Sequence, residues 1–100
     1  MTRVLVIRPA AEADAIEAAS WNEQKSKASA ARFVREFRSA LEKIINNPLQ
    51  YQTVEFEMRR APVTGFPYGI LYVVSDEAIV VLSCFHGRRD PARRRERLSP

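Results

Sequence analysis

Five side chains in the second half of this sequence could handle a phosphate: Arg59, Arg60, His86, Arg88 and Arg89. A guanidinium presents parallel N–H donors that match phosphate or carboxylate oxygens, so Arg59, Arg60, Arg88 and Arg89 could hold a phosphate by paired hydrogen bonds. His86, with Glu55 or Glu57, could form an acid/base pair. Cleaving RNA would ask for groups of this kind, to activate the 2′-hydroxyl, stabilise the phosphate and protonate the leaving oxygen. Two features pull against that use. Carboxylates at positions 55 and 57 repel RNA phosphates, and no tyrosine follows Arg89, the three being Tyr51, Tyr68 and Tyr72. A lone histidine at a strand end beside Gly87 is also more often structural than catalytic.

Metal and cofactor chemistry find no support. One cysteine and one histidine cannot close a zinc site, and no cofactor is implied. The single Cys84 excludes an internal disulfide, and its place in an apolar run suggests a buried thiol in a reducing compartment. The apolar stretch from Met1 to Arg8 is too short for a leader, and no run approaches the roughly 20 apolar residues that span a bilayer. A cytoplasmic protein without membrane contact is expected.

The net charge of +4 is unevenly placed. Residues 1–85 carry ten basic and ten acidic side chains, whereas residues 86–100 carry six arginines against Asp90 and Glu96. A neutral body with a basic tail attracts phosphates or an acidic protein, unless the tail serves only solubility.

The elements that must position these groups fit one domain over residues 1–100, with 88–100 as a basic tail. Val4-Leu5-Val6-Ile7 reads as a short strand. Pro9 suits a helix start, and Ala10–Glu23 reads as a helix with Ala11, Ala15, Ile16, Ala19 and Trp21 on its inner side. Ser26 or Ser29 could cap the next helix, Ala30–Ile45, whose apolar face is Phe33, Val34, Phe37, Leu41, Ile44 and Ile45. Asn46-Asn47-Pro48 stops it. Thr53–Arg59 alternates as a half-buried strand, with Val54, Phe56 and Met58 inward and Glu55, Glu57 and Arg59 outward. Phe66–Val74 and Ala78–Phe85 follow as strands around the turn Ser75-Asp76-Glu77. Asp90-Pro91 could open a short arginine-rich helix over Ala92–Leu98. The expected fold is α+β, in the order β-α-α-β-β-β, with a helical hairpin packed on one face of a mostly antiparallel sheet.

The last two strands are apolar on both sides, and the helical pair covers one face only. Leu71, Val73, Val80 and Leu82 should then form an under-covered apolar face for a partner, flanked by Arg88, Arg89, Arg93 and Arg94.

The run Phe66-Pro67-Tyr68 into Ile70-Leu71-Tyr72, the ending Val81-Leu82-Ser83-Cys84-Phe85-His86-Gly87-Arg88-Arg89-Asp90-Pro91, and the element order resemble the RelE/ParE superfamily of type II toxin–antitoxin toxins. The ParE branch, also called plasmid stabilisation toxins, is the more similar, and the likeness runs over residues 3–91. The resemblance implies a small cytoplasmic toxin that inhibits growth and is neutralised by a cognate antitoxin, whose amphipathic, often acidic segment wraps the toxin. It also allows a homodimer or a toxin–antitoxin hetero-oligomer. RelE-like members cut mRNA on the ribosome, using Lys, Arg and Tyr groups. ParE-like members inhibit DNA gyrase without being nucleases. The acidic Glu55 and Glu57 favour gyrase inhibition by binding, carried by the second sheet face and the tail. A ribosome-dependent endoribonuclease working through Arg59, Arg60, His86, Arg88 and Arg89 is the alternative. A non-toxic basic binding module is the third.

Overall fold

The computed structural model describes residues 3–87. The tail arginines, Arg88, Arg89, Arg93 and Arg94 among them, and the expected helix over 92–98 lie outside the described residues. Strand β1 (Val4–Ile7) leads through Arg8 into helix α1 (Pro9–Glu23), with Pro9 at its first turn, where the missing N–H costs no helical bond. Helix α2 (Lys27–Asn46) starts three residues before the expected Ala30 because Ser26 caps it, its side chain accepting from the Ser29 N–H at 3.0 Å. Four strands follow: β2 (Thr53–Glu55), β3 (Met58–Pro62), β4 (Tyr68–Val74) and β5 (Ala78–His86). The sheet order is β1-β5-β4-β3-β2, with β1 parallel to β5 and the other pairs antiparallel. The α+β class with a helical pair on a mostly antiparallel sheet is as expected.

The expected strand Thr53–Arg59 is instead a hairpin. Glu55 pairs with Met58, so Phe56 and Glu57 form a two-residue turn and the sheet gains a fifth strand. Apolar-polar alternation continues unbroken through a tight turn and cannot mark it, since neither Asn-Gly nor a related signal is present. Phe56, expected inward, is 86% exposed.

Between α1–α2 and the sheet lies the main core, where Phe33, Ile44, Ile70, Tyr72, Ile79 and Val81 are buried together. Helix α1 contributes mostly small or polar side chains: Ala11, Asp14, Ala18 and Asn22 are its buried residues, while Ile16 and Trp21 are exposed. This differs from the expected inner face. The helix approaches through alanines, and each of its two buried polar groups has a hydrogen-bond partner. Asn22 Nδ2 donates to the Ala18 carbonyl at 2.8 Å. Asp14 Oδ2 accepts from the Cys84 backbone N–H at 3.1 Å. Strand β1 pairs with β5 only as far as Ile7↔Val81; Cys84 pairs with Ile70 of β4 on its other side, and towards β1 its N–H is taken by the Asp14 carboxylate.

Candidate functional surface

The cross-strand register sorts the sequence-predicted groups onto two faces. Arg59 pairs with Tyr72 and Arg60 with Leu71, so the two adjacent arginines point to opposite sides of the sheet. On the helix side, Arg59 donates through Nη1 to the carbonyls of Leu49 and Tyr51 and ties the α2–β2 connection to β3. Tyr72 lies on that same side, fully buried, its hydroxyl donating to the Pro48 carbonyl at 2.6 Å. Burial pushes the Tyr72 pKa up from its ordinary 10.0, and the nearby Arg59 charge works against that rise. His86 pairs with Tyr68, and their rings meet edge to face at 5.3 Å between centroids. Tyr68 in turn packs against Phe33.

Glu55 pairs with Met58 on the other face, at the far edge of the sheet. Strands β3 and β4 separate β2 from β5, about 14 Å at the usual strand spacing, and His86 lies further along β5 than the row of Glu55, so the two are more than about 14 Å apart. The acid/base pair considered from sequence is therefore not assembled, and Arg59 and Arg60 do not form one phosphate clamp. Among the described residues no group of histidine, cysteine and carboxylates could hold a metal ion. Cys84 is a buried thiol.

The second face carries Met58, Leu71, Leu82 and Phe85 as a buried cluster, with Val73 and Val80 half-buried against it. It is not the open apolar surface expected from sequence, because Leu71 and Leu82 are closed off. The β4–β5 register jumps from Leu71↔Ser83 to Tyr72↔Val81, which leaves Leu82 as an extra residue in a bulge. A bulge bends its strand and re-aims its side chain, here into the cluster with Phe85. Alternating sequence gives no sign of it. Towards the β1 edge the face does open, where Val6 pairs with Val80 and is 42% exposed.

Two polar side chains interrupt this apolar face. Arg60 is half-buried, and a Cβ added at Gly69 would overlap its Nε, Cζ and Nη2, so the guanidinium lies directly over the Gly69 backbone. Only glycine at position 69 leaves that seat. The hydroxyl of Ser83, across Leu71 from Arg60 in the same row, is buried without a hydrogen-bond partner. Sequence reasoning singled out Arg60 but missed Gly69 and Ser83, since neither stands out without the strand register. On the opposite side of the molecule, Ile7, Ala15, Ala19, Val34, Phe37 and Leu41 line an apolar groove of about 320 Å³ between α1 and α2.

Residues 5–91 match the family model described as the ParE toxin of the type II toxin–antitoxin system parDE. The chain belongs to the ParE toxin family. This ParE toxin is also similar in fold to a solved structure titled the YoeB dimer from Staphylococcus aureus. The two share 16% identity at a TM-score of 0.54, over 84% of this chain and 95% of that one. Among curated proteins none matches in sequence. As a type II toxin, the chain has an antitoxin as its partner. Among the described residues no helix of this ParE toxin is long and apolar enough to cross a membrane.

Proposed function

We propose that this ParE toxin arrests bacterial growth by binding DNA gyrase rather than by cutting RNA. The observation that carries the reading is the dispersal of the groups a nuclease would need on one surface. Arg59 is bonded to carbonyls on the helix side. His86 and Tyr68 pack on each other there. Of the described nuclease candidates, Arg60 alone stands on the second face. A binding toxin has no need of a convergent acid and base. It needs a shaped surface, and Arg60 on Gly69, with Arg88 and Arg89 next after Gly87 in sequence, supplies cations for one.

In this reading the chain works in the cytoplasm and its cognate antitoxin neutralises it by covering the same surface. Val73, Val80 and the tail arginines Arg88, Arg89, Arg93 and Arg94 are the proposed contacts, with Leu71 and Leu82 supporting them from beneath. The ribosome-dependent endoribonuclease is kept as a second reading by one feature, the Arg60 guanidinium, which makes no hydrogen bond among the described residues and could hold a phosphate.

Expression of the chain alone in a bacterial host separates these readings. Growth arrest with lost plasmid supercoiling and intact message supports gyrase inhibition. Message cut at codon-level positions reverses the assignment. Unimpaired growth removes toxicity and leaves a basic binding module. Arg88→Glu with Arg89→Glu should relieve the arrest in a folded protein, and undiminished toxicity would remove the tail from the contact.

A further inference from the structure

Phe56 is the strangest residue of the described chain. It stands first in the two-residue β2–β3 turn, 86% exposed, with φ at +50°. No other non-glycine residue among those described has a positive φ. The first position of a tight hairpin accepts that conformation from glycine, and from asparagine or aspartate with little strain, but not from a bulky aromatic side chain. The phenyl ring is therefore held in a disfavoured backbone state and also left in water. Neither property helps the fold, and a non-glycine residue held at positive φ is a recognised mark of a functional position. Aromatic side chains, Phe among them, are also enriched at protein interfaces relative to the rest of the surface.

The surroundings describe the partner. The exposed Glu57 follows Phe56 in the turn, so the apolar ring has an acidic neighbour at the tip. A phosphate backbone would meet repulsion there, which disfavours nucleic acid. The cationic excess of the chain falls in residues 86–100, some thirty positions or more beyond Phe56 in the sequence. A partner drawn to those arginines is acidic. A partner drawn to the hairpin tip presents an apolar pocket with basic groups at its rim.

We propose that the β2–β3 hairpin tip, with Phe56 as its anchor, is the element that engages a basic-rimmed apolar pocket on the toxin's protein target. This rests on the reading that the chain acts by binding a protein. The turn follows β2, the outermost strand of the described sheet, and its ring is already exposed, so presenting it needs no rearrangement.

The test uses the full chain, purified DNA gyrase, and growth arrest on expression. Phe56→Gly suits the positive φ and removes the ring, so its thermal midpoint should be unchanged or raised. Its gyrase affinity should fall at least tenfold, with growth arrest lost in parallel. Phe56→Tyr should keep affinity within threefold, and Glu57→Lys should weaken it. Folded Phe56→Gly with wild-type affinity and full growth arrest overturns the proposal. If the wild-type chain arrests growth without binding gyrase, the gyrase reading fails alone, and the growth phenotype of Phe56→Gly then decides for or against the hairpin. If the wild-type chain does not arrest growth, both fall.

Discussion

Replacing Asp14 by alanine should cost this small domain a large part of its stability. The carboxylate is 5% exposed and accepts from the Cys84 backbone N–H, itself in a residue 2% exposed, at 3.1 Å across 70 positions of sequence. Alanine leaves that donor buried without this acceptor, a loss of about 2–3 kcal/mol for a bond to a charged group. Alanine is also the better helix former, which returns about 0.5 kcal/mol in α1. The net is about 2 kcal/mol, equivalent to a fall of about 8–16 °C in thermal midpoint for a domain of this size. Asp14 makes a further interaction, so this value is a lower bound. Asp14→Asn retains an amide oxygen and should lose about half as much. Urea and thermal unfolding followed by far-ultraviolet circular dichroism give both numbers. An alanine variant within about 0.5 kcal/mol of wild type would refute the role assigned to this bond, since an unsatisfied buried N–H alone costs more.

Four further outcomes are expected. Tyr72→Phe removes the bond to Pro48 and should lose about 1–2 kcal/mol near neutral pH. The folded Tyr72 pKa lies above its unfolded value, so the neutral phenol stabilises fully below pH 10.0 and that contribution is lost as pH rises through the folded pKa; the Phe variant should show a flatter alkaline limb in unfolding experiments. Ser83→Ala deletes a buried hydroxyl with no partner and should leave stability unchanged or raise it by about 1 kcal/mol; a clear loss in urea melts would mean the hydroxyl is bonded. Gly69→Ala pushes the flexible end of Arg60 off its seat, so stability should move by less than about 1 kcal/mol while gyrase affinity falls to the level of Arg60→Ala. Ser26→Ala should cost about 1 kcal/mol through the lost α2 cap, read from thermal melts.

Much of this fold is carried by local rules that the sequence states openly. Phe33, Phe37, Leu41 and Ile44 recur at helical spacing, Ser26 and Asn46-Asn47-Pro48 bound α2, and the apolar runs on either side of Ser75-Asp76-Glu77 make a hairpin. The Phe66–Tyr72 and Val81–Pro91 blocks resemble the RelE/ParE superfamily, and the match over residues 5–91 bears that out. Other features depend on register, which no local pattern encodes. Adjacent Arg59 and Arg60 are equivalent in sequence, and strand pairing alone turns one to the helix side and seats the other on Gly69. Asp14 looks like a surface residue of an alanine-rich helix until α1 docks where β5 has run past the end of β1. The bulge at Leu82 and the hairpin turn at Phe56 likewise come from how the strands meet, because a one-residue shift in pairing changes which face every side chain takes. The sequence by itself therefore determined both helices, three of the five strands, the family and the uneven charge. The tertiary structure decided which polar groups hold the fold and which remain to meet a partner, because that division is set by neighbours far apart in the chain.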